Sequence, residues 1–80
     1  ARHSRPRRQL VGLVEGTILR CIQTCSPQTL TRSLVGVQLE SFWATRDHSI
    51  FEQAIIKQTH RLKNLGQDRK ARVLERAREK

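Results

Sequence analysis

Eighty residues allow one domain with a small core, and chains of that size are only marginally stable alone. Sixteen Lys and Arg stand against seven Asp and Glu, a formal charge of +9 that points to a polyanionic partner, most simply RNA or DNA. No apolar run approaches the roughly 18 residues of a membrane span, no short apolar stretch has the flanks of a secretory signal, and two cysteines are too few for a disulfide framework.

The chain opens on a basic arm. Residues 1–8 carry Arg2, Arg5, Arg7 and Arg8, no acid, one Pro and no apolar periodicity, which predicts an extended segment. The first residue is Ala1 and the chain has no Met, so an initiator Met, an organelle transit peptide or other leading residues are expected to have been removed. Transit peptides are themselves Arg-rich and acid-poor, so the arm also fits the remnant of one and a mitochondrial location.

Residues 9–25 place Leu10, Val11, Val14, Ile18, Cys21, Ile22 and Cys25 at steps of three and four. That is the stripe of an amphipathic helix. Gly12 and Gly16 weaken it by about 1 kcal/mol each relative to Ala, although they would suit close approach of a second helix. The β-branched content makes a strand the competing assignment. The pair Ser26-Pro27 then breaks and restarts the chain, Ser as an N-cap and Pro in the first helical position. A second helix is predicted from about residue 27 to 46, with an apolar face of Leu30, Leu34, Val35, Leu39, Phe42 and Trp43. Alternation from Val35 through Val37 to Leu39 allows a short strand at residues 33–41 instead.

Ser49 with Glu52 matches a capping box and predicts a third helix over about 50–64, with Phe51, Ile55, Gln58 and Leu62 in its stripe and Ile50, Ala54 and Ile56 widening it. Asn64-Leu65-Gly66 is a stop, with Gly66 as the left-handed residue. Asp68 is placed to cap a fourth segment, 69–80, whose thin apolar stripe is Ala71, Val73, Leu74 and Ala77. Such a helix is marginal alone in water and would gain from lying against phosphate.

Charge and hydropathy are segregated. Residues 1–8 hold four basic residues and no acid, residues 57–80 hold nine basic against three acidic, and residues 9–56 hold three against four. The neutral middle contains most of the apolar residues. This organisation predicts a basic arm (1–8), a helical core (9–66) and a basic C-terminal helix or tail (67–80). The candidate phosphate ligands are therefore Arg2, Arg5, Arg7 and Arg8 at one end, and Lys57, Arg61, Lys63, Arg69, Lys70, Arg72, Arg76, Arg78 and Lys80 at the other. Arg69, Arg72 and Arg76 lie at helical steps and make one cationic edge. Glu75 is in register with Arg72, so part of the charge is paired internally. Phosphate contacts position a ligand without reading its bases.

Chemistry of other kinds finds little purchase. There is no Gly-rich phosphate loop, no nucleophile–base pair and no adjacent carboxylate pair. Cys21 and Cys25 are four residues apart and read as small apolar side chains; His48 and His60 match the ligand type for a metal but supply no second ligand pair with its own spacing. Three aromatics in 80 residues are needed for packing. Phe42 and Trp43 are adjacent and cannot point the same way on a helix, so Trp43 is also a candidate anchor for a protein partner.

Residues 28–45 resemble the helix-turn-helix motif of phage and bacterial repressors, through Gln28, Thr29, Thr31, Val35, Gly36, Val37 and Phe42. The resemblance implies a turn at Gly36 and a recognition helix over about 38–45 that enters the major groove. Arg32 stands where that family has a small buried residue and Thr45 where it has an apolar one. The stretch QLESFWAT contains no Arg or Lys.

Together these observations predict an all-α domain of three to four helices, with an extended basic N-terminal arm and a basic C-terminal helix. The function expected is that of an RNA-binding structural component of a ribonucleoprotein. Most concretely it is a small intracellular ribosomal protein, the arm also suiting a mitochondrial one. It would contact rRNA phosphates and neighbouring proteins, with no enzymatic activity, cofactor or small-molecule substrate. The alternatives are a helix-turn-helix DNA-binding regulator and a helical assembly factor.

Overall fold

The computed structural model describes residues 6–79, and within them the chain is all-α. Four helices follow in order, α1 (Arg7–Thr24), α2 (Pro27–Thr45), α3 (His48–Asn64) and α4 (Asp68–Glu79). Residues 9–24 and 33–41 are helical, Cys25 being the extended C-cap of α1, and the strand assignments are excluded. Arg2, Arg5 and Lys80 lie outside the described residues.

The helix ends follow local chemistry. Ser26 is the N-cap of α2 and Pro27 its first residue, as the dipeptide predicts, although the Ser26 side chain makes no capping bond. At the end of α3, Gly66 is left-handed at φ 76°. There Gln67 N donates to Leu62 O at 2.9 Å and Gly66 N to Lys63 O at 3.1 Å. That 6→1 and 5→2 pair is a Schellman stop.

Three boundaries differ from the expectation. The third helix is capped by Asp47 rather than Ser49: Asp47 Oδ1 accepts from Ser49 N at 2.9 Å and from Ser49 Oγ at 2.7 Å. A carboxylate at this position caps with one oxygen and also favours the positive end of the helix dipole, which a neutral hydroxyl does not. Asp68 is not a cap but the first residue of α4. Arg7 and Arg8, predicted as part of the extended arm, are helical, because α1 already begins at Arg7, and Pro6 O accepts from Gln9 N at 2.9 Å and Leu10 N at 3.2 Å. Arg7 is drawn into the fold by Asp47, whose Oδ2 accepts from Arg7 at 2.8 Å.

Asp47 thus caps α3 and ties down the start of α1. The Ser49 hydroxyl, the Arg7 guanidinium and the Ser49 N–H together lower its pKa from 3.8 to about 2. A depressed folded-state pKa gives stability that is complete above the ordinary value and lost as pH falls through the folded one. Thermal stability should therefore decline between about pH 4 and pH 2 in part through this group. Asp47→Asn keeps a capping oxygen but cannot titrate, and its melting temperature should vary less over that window; parallel curves for the two proteins would remove Asp47 from the account.

The helices form two antiparallel hairpins, α1–α2 and α3–α4, packed with α1 against α3 and α2 against both α3 and α4. Arg7 pairs with Asp47 and Glu15 with Lys57, so α1 and α3 run in the same direction. The largest fully buried side chains are Ile18, Leu30, Leu34, Ile55, Leu62 and Leu74, with every helix contributing. Burial of each is worth about 1.5–3 kcal/mol relative to exposure. Gly12 and Gly16 do not mediate a close approach, since a Cβ at either would meet nothing within 4 Å.

The second helix is turned relative to the face its apolar residues predict. It buries Leu30, Leu34, Val37 and Ser41. Val35, Leu39 and Trp43 are on the outside. Phe42 is half-buried and stacks on His48 with ring centroids 4.4 Å apart. The buried set is the smaller one, and it is the one that faces α1 and the α3–α4 hairpin.

Candidate nucleic-acid interface

In the last helix, Ala71, Leu74 and Ala77 are buried, and they define the inward face. At 3.6 residues per turn, Arg69, Arg72 and Arg76 fall within about 60° of one another on the opposite side. All three are exposed. None forms an ion pair among the described residues. The row is about 10 Å long at 1.5 Å per residue. Asp68, Glu75 and Glu79 lie along the α3 side of this row, and Lys63 engages Glu75 at 2.8 Å. Lys63 holds the Glu75 carboxyl below its usual range, with Arg72 and Arg78 adding to the effect. The cationic edge predicted from helical spacing is therefore present.

The other candidate cations divide into two groups. Five are engaged within the fold. Arg7 pairs with Asp47 at 2.8 Å, Lys57 with Glu15 at 3.7 Å, Lys63 with Glu75 at 2.8 Å and Arg78 with Glu52 at 3.7 Å. Lys70 Nζ donates to Ile22 O at 2.5 Å, satisfying a carbonyl of the last turn of α1. A lysine there also favours the negative end of that helix. Arg8 on α1 and Arg61 on α3 are exposed and form no ion pair among the described residues.

Folding thus partly undoes the charge segregation of the sequence. Three of the four acids of the middle, Glu15, Asp47 and Glu52, reach basic residues of the two ends. These are exposed pairs and individually worth little, at about 0–1 kcal/mol. Their consequence is electrostatic: the cations left unpaired are concentrated on arginine, and the largest group of them is the row on α4. No helical-spacing rule signals those pairings, because none joins two residues of one helix.

The turn that the helix-turn-helix resemblance requires at Gly36 is absent. Residues 27–45 are one uninterrupted helix, so no separate recognition helix exists there. Intrinsic propensity explains this: one Gly within a 19-residue helix costs only about 1 kcal/mol, less than the packing of Leu34 and Val37 on either side returns.

Other chemistry is sparse. No group of three His, Cys, Asp or Glu among the described residues could hold a metal ion. Cys21 and Cys25 are free and partly buried. Burial and the neighbouring Cys25 raise the Cys21 thiol, while a 3.3 Å contact with the Ser33 hydroxyl lowers that of Cys25. A groove of about 150 Å³ between α1 and α2 is lined by Leu10, Leu13, Val14, Thr17 and Val37, with Glu40 as its one charged residue. No described helix is long and apolar enough to cross a membrane.

Among the described residues, fold and surface define a small four-helix domain with an arginine row on its last helix. No protein family, curated protein or solved structure matches the chain.

Proposed function

We propose that this protein is a structural RNA-binding component of a ribonucleoprotein, in its most concrete form a small ribosomal protein, mitochondrial or otherwise, that grips rRNA phosphates. The single observation that supports this most is the unpaired row of Arg69, Arg72 and Arg76, set on the outward face of a helix whose other cations are engaged. Guanidinium groups bind phosphate oxygens in forked, bidentate geometry and stay charged at any physiological pH. A helix edge of this kind follows the backbone of a nucleic acid and reads its bases little. The proposed role is non-enzymatic and needs no cofactor.

A salt titration tests it. Single-stranded RNAs of unrelated sequence should bind with similar affinity, and log K should fall linearly with log salt with a slope of about −0.7 per phosphate engaged. Absence of measurable RNA binding at low salt would end the proposal. Marked preference for one DNA duplex would replace it with a sequence-reading role.

A further inference from the structure

The outward face of α2 carries Val35, Leu39 and Trp43, which are 41%, 57% and 65% exposed. Spaced four residues apart, they stack along one stripe of the helix. Single exposed apolar residues are ordinary, whereas a contiguous set with a tryptophan at its end is the composition of an anchor. Gly36 lies beside the stripe, and a Cβ there would meet nothing within 4 Å, so another backbone can come close.

The ends of the stripe are charged. Arg32 stands seven residues, nearly two full turns, before Leu39 and shares its direction, and Arg46, the C-cap just past the end of α2, lies against Trp43 at the other end. Their Cα atoms are about 21 Å apart along the axis. Both are exposed, and neither pairs with an acid among the described residues. Arg46 is held in place: its backbone is left-handed at φ 55°, and its guanidinium lies over the Trp43 ring at 4.6 Å and the Phe42 ring at 5.8 Å.

Three occupants can be compared. A second copy paired antiparallel about Leu39 would set Arg32 against Arg46 at both ends, and a parallel pair would set each arginine against itself, in a chain of formal charge +9. Like charges so placed oppose association. Nucleic acid bases could stack on Trp43 but find no π-face on Val35 or Leu39. An amphipathic helix matches all three features, since its apolar positions recur every three or four residues and acids can bracket them.

We propose that this stripe docks an amphipathic helix of another protein, apolar along one face and carrying acidic residues about 14 positions apart that pair with Arg32 and Arg46. The inference stands on α2 and is independent of the arginine row on α4. It gives the molecule two separate surfaces, one for phosphate and one for a protein neighbour.

The probe is a synthetic helical peptide of about 22 residues with Leu at i, i+4 and i+8 in its centre and Glu 14 positions apart, titrated into the whole chain. Trp43 is the only tryptophan and reports directly by fluorescence. The expected result is a blue shift and binding about tenfold tighter than that of the same peptide with Lys at the two Glu positions. The double variant Arg32→Glu/Arg46→Glu should reverse that preference, and Leu39→Asp should abolish binding with an unchanged melting temperature. Equal affinity for the two peptides, or no shift with either up to about 1 mM, overturns the proposal. So does displacement of the Glu peptide by oligouridylate with the same spectral shift, which would make the occupant a nucleic acid. A sedimenting dimer that buries Trp43 overturns it in favour of a second copy.

Discussion

Replacing Leu74 with Ala is expected to destabilise the protein by about 2–5 kcal/mol and to release α4 from the bundle. Leu74 is fully buried, and the only other buried residues of that helix are Ala71 and Ala77. Leu74 is therefore the one large, fully buried side chain of a helix of 12 residues, with the partly buried Val73 beside it. Helices that short are marginal in water without packing, and a domain of this size has a total stability toward the low end of about 5–15 kcal/mol. The variant should lose helical circular dichroism in proportion to α4, and hydrogen-exchange protection over 68–79 should fall first. RNA affinity should fall as well, although no charge has been removed, because a row of arginines needs a seated helix to stay a row. Leu65→Ala is the control, since Leu65 is 56% exposed and its truncation should stay within about 0.5 kcal/mol of the parent. A Leu74→Ala protein that melts with the parent would contradict the seating of α4.

The second large effect is expected from Arg69→Gln/Arg72→Gln/Arg76→Gln. Glutamine keeps helix propensity close to that of arginine, so the fold should persist. Removing three phosphate contacts should reduce the magnitude of the salt slope for single-stranded RNA by about 2, which corresponds to about a hundredfold loss of affinity at 0.1 M salt. The informative comparison is Lys57→Gln/Lys63→Gln/Arg78→Gln, which lowers the net charge equally. Those three are paired with Glu15, Glu75 and Glu52. Losing them frees the acids but removes no phosphate ligand, so the slope should change little. Equal losses in the two triple variants would mean that net charge alone binds the RNA and that the row has no special part.

Much of the fold is legible in the amino-acid sequence. Ser26-Pro27 and Gly66 mark helix ends through backbone chemistry that depends on immediate neighbours only. The stripe of α3 was correct because Phe51, Ile55, Gln58 and Leu62 fall on one face and no rival stripe competes. For α2 two stripes compete, one of Leu34, Val37 and Ser41 and one of Val35, Leu39 and Trp43. Hydropathy favours the second, and burial follows the first. The price is visible in Ser41 Oγ, which is buried without a hydrogen-bond partner, an arrangement that disfavours folding by about 1–3 kcal/mol. The expectation that Trp43 packs in the core therefore failed, while its place on the surface leaves it available as an anchor.

The candidate site was legible in outline only. The spacing of Arg69, Arg72 and Arg76 is a local property of one helix, and it survived unchanged. Which other cations remain unpaired was not legible, because Arg7, Lys57, Lys70 and Arg78 meet their partners across helix boundaries. Lys70 is the clearest case. It stands among phosphate-binding candidates in the sequence and serves in the fold to satisfy the Ile22 carbonyl.

By itself the sequence determined that the chain is helical, where three of its helix ends lie, and that an arginine edge runs along its last helix. Periodicity, capping and turn chemistry act over a few residues, and a linear reading captures them. Only the tertiary structure decided which face of α2 is buried, that Asp47 joins α1 to α3, and which basic residues remain unpaired at the surface. Those outcomes depend on the packing of one hairpin against the other, where the volumes and charges of residues distant in sequence must fit together.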